Sequence, residues 1–129
     1  MIGLWSAYVH SYLLLLVAVT SLVFALPIFL MPLRWARLFR WRLPEDTDLA
    51  VYFGRCLGAF VLVIEALMLR AGLTGEGVLF TCQALLAVAL LMVVVHVWGA
   101  LQRIQPITET LEIGIYAGMF ILTLLFYPA

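Results

Sequence analysis

Apolar positions run almost unbroken through four stretches of this chain, at about residues 12–33, 49–69, 78–101 and 108–127, separated by short polar connections. No stretch alternates apolar and polar residues as a barrel strand would. Each is close to the roughly 20 residues that a helix needs to cross the hydrocarbon of a bilayer. Lipid offers nothing to a bare peptide group, so a run of this kind is expected to be helical, with its backbone hydrogen bonds closed within the segment. The pattern predicts an all-α polytopic membrane protein: one domain, residues 1–129, with four transmembrane helices in a bundle.

Composition agrees: 67% of the 129 residues are hydrophobic and 11% charged, where a soluble domain holds roughly half and about a quarter. Too few residues lie outside the four runs for a separate soluble domain. The opening MIGLWSAYVHSY has no positive n-region, and arginines rather than a small-residue cleavage site follow the first run. That run is expected to be a retained span and not a signal peptide.

Charge sorts the connections. RWARLFRWRLPEDTD, between the first two runs, carries Arg34, Arg37, Arg40 and Arg42, and QRIQPIT between the last two carries Arg103, whereas RAGLTGEG balances Arg70 with Glu76. The positive-inside rule places the first and third connections in the cytoplasm and both termini on the other side. Trp35, Trp41 and Trp98 then fall at one interface and Trp5, Tyr8 and Tyr127 at the other, as aromatic anchors do. The four arginines are most simply a topology determinant; the alternative is an anionic-lipid site, since juxtamembrane arginines also attract such headgroups. Net charge is zero, which argues against a nucleic-acid partner. Cys56 and Cys82 stand in different runs without metal-site spacing and read as small buried hydrophobes. No metal site is expected.

Within the runs the polar residues fall in two layers. Counted at about 1.5 Å per residue, Arg55, His96 and Glu112 lie roughly 6–9 Å inside the same membrane face. Glu65 lies near the other face, level with Gln83. A charge in hydrocarbon is costly, so pairing of Arg55 with Glu112, with His96 nearby, is expected; the alternative has Arg55 reaching out to headgroups and Glu112 meeting water. His96 on its own reads as a hydrogen-bonded structural residue, and His10 as an interfacial anchor.

Two GxxxG motifs, Gly54 with Gly58 and Gly114 with Gly118, mark faces where helix backbones can approach closely. By helical angle Glu65 falls between Gly54 and Gly58, with Arg55 about 80° to one side. Glu109, Glu112 and Tyr116 form a face mostly opposite Gly114 and Gly118. The fourth helix therefore presents two contact faces, which suits a partner subunit or a homo-oligomer.

The stretches FGRCLGAFVLVIEAL and HVWGALQRIQPITETLEIGIYAG resemble the DoxX-like group of small four-helix membrane proteins. Recurring features of that group are a Gly-Arg in the second helix, a His near the end of the third, and a Pro followed by Glu at the start of the fourth. The resemblance covers about residues 50 to 120. It implies that Arg55, His96 and Glu112 are the matching polar set, that the membrane is a bacterial inner membrane, and that the partners are membrane oxidoreductases, as for several members. The paired cysteines of the thiol chemistry in some relatives are missing here.

Two functions are thus expected to compete. One is a small integral subunit that packs against and stabilises a larger membrane complex, in an energy-converting or oxidoreductase assembly. The other is a binding or redox protein for an apolar ligand with a polar head, a quinone or an isoprenoid lipid, held by Arg55, His96 and Glu112 with Glu109 and Tyr116. No catalytic residue is assigned, and a non-enzymatic role is favoured. An ion path ranks last, because LLAVALLMVVV and AFVLVI seal the depth between the polar layers.

Overall fold

The computed structural model describes residues 1–128 and contains, among them, five helices and no strand. We label them α1 (Ser6–Leu30), α2 (Pro32–Leu38), α3 (Asp48–Thr74), α4 (Val78–Gln102) and α5 (Ile107–Leu125). All but α2 are long and apolar enough to cross a membrane, and the chain is read here as a multi-pass membrane protein.

The first span begins earlier than the hydropathy pattern suggests and stops sooner. A 3-10 turn, Ser6–Tyr8, leads into it, and it ends at Met31, whose backbone leaves the helical region (φ −138°, ψ 59°) ahead of Pro32. Proline disfavours helical geometry in the residue before it, so α1 and α2 are separate helices. Inside α1 a wide π turn, Ser21–Ala25, precedes Pro27. Proline has no N–H to give to the carbonyl four residues back, that of Val23. The indole N–H of Trp35 donates to that carbonyl instead, at 2.9 Å, folding α2 back along α1. Stacking of Trp35 on Phe39 (centroids 4.3 Å apart) and its tilted contact with Phe24 fix the fold-back. Trp35→Phe keeps the ring stack and removes the donor, and is expected to cost about 1 kcal/mol of unfolding free energy in detergent; a loss indistinguishable from zero would show the Val23 carbonyl satisfied another way.

Helices pack chiefly as two pairs, α1 with α3 and α4 with α5. In the first pair Gly58 lies so close to α1 that a Cβ there would come within 2.6 to 2.7 Å of the Phe29 backbone, and one at Gly54 within 2.7 Å of the Pro32 ring. The second GxxxG does not behave alike: a Cβ at Gly114 or Gly118 would meet nothing within 4 Å. Those two glycines, expected as packing positions, face outward, because the opposite side of α5 is the one turned to α4.

The turn from α3 to α4 needs two left-handed residues, supplied by Gly75 (φ 78°) and Gly77 (φ 74°). The core lies toward this end, where Val9, Tyr12, Leu13, Val17, Met68, Ala71, Cys82 and Leu85 are buried together. Gly3 and Trp5 give their backbone N–H groups to the carbonyls of Leu124 and Leu125, closing the end of α5. Tyr12 stacks on Phe126 (4.6 Å) and bonds through its hydroxyl to Thr123, at 2.6 Å.

Candidate functional site

A tight hairpin between α4 and α5 builds the site. Arg103 adopts the left-handed conformation (φ 56°) just past α4, and the N–H groups of Arg103 and Ile104 bond back to Ala100 and Gly99. Such a Schellman-type cap ends a helix within one residue. Pro106, extended (ψ 164°), then starts α5 with no N–H to leave unpaired. The antiparallel register this sets brings His96, near the end of α4, level with Glu109 and Glu112 in the first turns of α5. Gln105 locks it: its amide donates to the His96 carbonyl (2.9 Å) and to Thr110 (3.1 Å), and its side chain fills the space over Gly99.

His96, Glu109 and Glu112 are all buried, exposed by 4%, 7% and 3%. His96 Nδ1 lies 2.7 Å from the Met92 carbonyl. A carbonyl oxygen only accepts, so Nδ1 carries a proton and Nε2 is the atom turned to the carboxylates. From Nε2 it is 3.1 Å to Glu109 Oε2 and 3.4 Å to Glu112 Oε2. Trp41 donates its indole N–H to Glu109 Oε1 at 2.7 Å, and the Tyr116 ring lies against the imidazole (5.2 Å between centroids). Glu112 Oε1 is buried with no hydrogen-bond partner among the described residues.

Glu109 also gains from standing in the first turn of α5, where the helix dipole favours a negative group. One ligand atom from each of the three residues can be chosen so that all lie within 4.8 Å of one another. No family model, curated protein or solved structure matches this chain.

Of the residues singled out in sequence, the fold brings together His96, Glu109, Glu112 and Tyr116. It does not bring Arg55. That side chain is exposed and lines a recess with Arg34 and Arg37, on the other helix pair. Among the described residues no ion pair joins Arg55 to Glu112; the carboxylate meets His96 instead. The two pairs of helices rotate Arg55 and Glu112 onto different faces, which depth counting alone cannot register.

The other polar layer also divides. Glu65 is buried against α1, bonded to Thr20 (2.6 Å) and Ser21 (2.9 Å). Gln83 is exposed and donates to the Tyr127 hydroxyl at 3.3 Å. Trp41, expected only to anchor the interface, is a partner of the site, and Gln105 and Gly99 shape it. For Gln105 the sequence signal was the adjacent Pro106, which marks the turn before the fourth helix. For Trp41 there was none, since its reach to Glu109 crosses the chain.

Proposed function

We propose that this is a small multi-pass membrane protein built around one cation-binding centre, in which His96, Glu109 and Glu112 hold a divalent first-row metal ion. Both termini lie on the non-cytoplasmic side in this reading, so the centre sits near the cytoplasmic face, on the side of the Arg-rich connection.

One observation carries the reading: the buried Glu112 Oε1 that nothing answers, beside an imidazole nitrogen already in contact with two carboxylates. If Nε2 carries a proton, one N–H serves two carboxylates, the group keeps a net charge of −1 in an apolar setting, and Oε1 stays unpaired. If Nε2 is bare while both acids are ionised, its lone pair faces two anions. A divalent ion removes either difficulty, balancing two carboxylates and a neutral imidazole. Imidazole with carboxylate is a donor set for zinc, iron or nickel. At bonds of about 2.0–2.1 Å, neighbouring ligands of one ion stand about 2.9 Å apart in octahedral and about 3.4 Å in tetrahedral geometry; the two pairs that involve His96 Nε2 stand 3.1 and 3.4 Å apart. The Met92 carbonyl on Nδ1 and the Trp41 indole on Glu109 are the kind of outer partners that orient metal ligands. Three protein ligands leave coordination positions for water or a substrate, where the ion would act as a Lewis acid.

The donor set offers acceptors and no guanidinium, so it suits a cation better than the carbonyl of a quinone or the phosphate of an isoprenoid. The test is elemental analysis of protein purified in mild detergent and loaded with Zn²⁺ or Fe²⁺. One ion per chain is expected, lost in His96→Ala and in Glu112→Gln and retained in Glu65→Gln. Wild-type protein that binds no more metal than the two site variants, all equally helical, would refute the centre.

A second reading is favoured by the open face of α5. Gly114 and Gly118 have no neighbour within 4 Å, and a small-xxx-small face of this kind is how transmembrane helices dock closely. In that reading the chain is also an accessory subunit that packs α5 against another membrane protein, as the DoxX-like resemblance implies. The two readings are compatible, because the glycines lie opposite the metal ligands on α5.

A further inference from the structure

Three guanidinium groups surround one recess at the junction of α2 and α3. Arg34 and Arg37, three residues apart on α2, share a face of that helix, and Arg55 comes from the second turn of α3. With Met31, Pro32, Leu33 and Val51 they line a hollow of about 340 Å³. Close approach of Pro32 to Gly54 sets α2 against the start of α3, next to Arg55. No ion pair joins any of the three arginines to a carboxylate among the described residues; the ion pairs found are those of Arg70 with Glu76 and of His96 with Glu109 and Glu112. Three like charges round one hollow repel each other, and Arg55 lies in the second turn of a helix apolar enough to cross a membrane, where an unpaired charge is unfavourable.

We propose that this recess binds the phosphate of an anionic phospholipid, with Arg34, Arg37 and Arg55 as its ligands. Guanidinium groups match phosphate oxygens in charge and in their forked donor geometry. The rest of the lining is apolar: Met31, Pro32, Leu33 and Val51 suit the glycerol and upper acyl carbons that follow a lipid phosphate and that inorganic phosphate lacks. Basic pockets between transmembrane helices bind anionic headgroups in this manner. The proposal gives Arg55 its counter-charge and separates it from Arg40 and Arg42, which do not line the recess. It is independent of the metal centre, which belongs to the other helix pair.

The experiment is native mass spectrometry of the purified chain from micelles containing equal amounts of phosphatidylglycerol and phosphatidylcholine. Preferential retention of phosphatidylglycerol is expected. Arg55→Ala should weaken that retention about fivefold, and Arg34→Ala with Arg37→Ala about 25-fold, whereas Arg40→Ala with Arg42→Ala should leave it unchanged. Arg55 is exposed, so its removal leaves the helix packing intact, which circular dichroism checks. Equal retention of the two lipids, or an Arg40 and Arg42 effect as large as that of Arg55, would overturn the proposal. Displacement of the lipid by inorganic phosphate at comparable concentration would also overturn it, assigning the recess to free phosphate.

Discussion

Gly58→Leu is expected to abolish the packed α1–α3 pair, while Gly118→Leu, the same change in the same sequence motif, is expected to leave the protein as stable as wild type. The difference is one of space. A Cβ at Gly58 would stand 2.6 Å from the Phe29 nitrogen and 2.7 Å from its Cα and Cβ; two of these are backbone atoms of a helix and the third is bonded directly to it, so none can swing aside as a side-chain tip can. Relief requires α1 to withdraw, and with it go the contacts of Gly54 on Pro32 and of Glu65 on Thr20 and Ser21. Overpacking of a fitted interface costs about 1–3 kcal/mol for added methylenes, and the backbone clash puts leucine at or above the upper figure. At Gly118 the added atoms enter open space. Unfolding in detergent, followed by circular dichroism against denaturant, reads both. Equal midpoints for the two variants would mean that the close approach at Phe29 is not what holds the pair.

The contrast between these glycines also shows how far the sequence could be read. Hydropathy sets where four helices run, because the length of each apolar run is fixed by the thickness of the hydrocarbon and is independent of neighbours. Rotation of a helix about its axis is set by its neighbours. Two GxxxG motifs are alike on paper; one meets Phe29 and Pro32 and the other meets nothing. Arg55 and Glu112 share a depth and still belong to different helix pairs. The polar face of Glu109, Glu112 and Tyr116 was legible, since spacing along one helix is local, and so was the level of His96. Their meeting depends on the hairpin at Arg103 to Pro106, whose Schellman cap follows from a left-handed arginine that nothing in an arginine codon announces. Tryptophan was the least legible residue. Trp35 and Trp41 both look like interfacial anchors, and the fold spends both indole N–H groups on specific acceptors: the Val23 carbonyl freed by Pro27, and Glu109.

An acidic and a basic cluster stand on different helix pairs. The α1–α3 pair with α2 carries Arg34, Arg37 and Arg55, which meet no carboxylate among the described residues, and the α4–α5 pair carries Glu109 and Glu112, which meet one imidazole. A protein that needed only to fill the membrane would be more stable with these groups paired or replaced by apolar ones. Keeping an acidic centre and a basic recess apart makes sense if each has a ligand of opposite sign.

Glu65→Gln is expected to keep stability within about 1 kcal/mol of wild type, and Glu65→Lys to lower it by at least about 3 kcal/mol. The reasoning is a count of protons. Thr20 Oγ1 lies 2.7 Å from the Leu16 carbonyl and 2.6 Å from Glu65 Oε1, and its hydroxyl has one proton to give. The same arrangement recurs where Tyr12 meets Thr123: the tyrosine donates to the threonine, which donates to the Met119 carbonyl at 2.7 Å. Thr20 likewise has one proton for two acceptors, the Leu16 carbonyl and Glu65 Oε1, while Ser21 donates to Oε2 at 2.9 Å. Among the described residues no basic side chain bonds to Glu65. Glutamine fits the same contacts, its amide N–H donating toward the Thr20 oxygen and its carbonyl accepting from Ser21. Lysine places a charge among two hydroxyls with no anion to meet it, in a segment where insertion of such a charge costs about 2.5–3.5 kcal/mol. Unfolding midpoints of the two variants in one detergent decide the matter. A glutamine variant as unstable as the lysine one would show that the carboxylate charge itself is required, and a cation would then have to be sought at this position too.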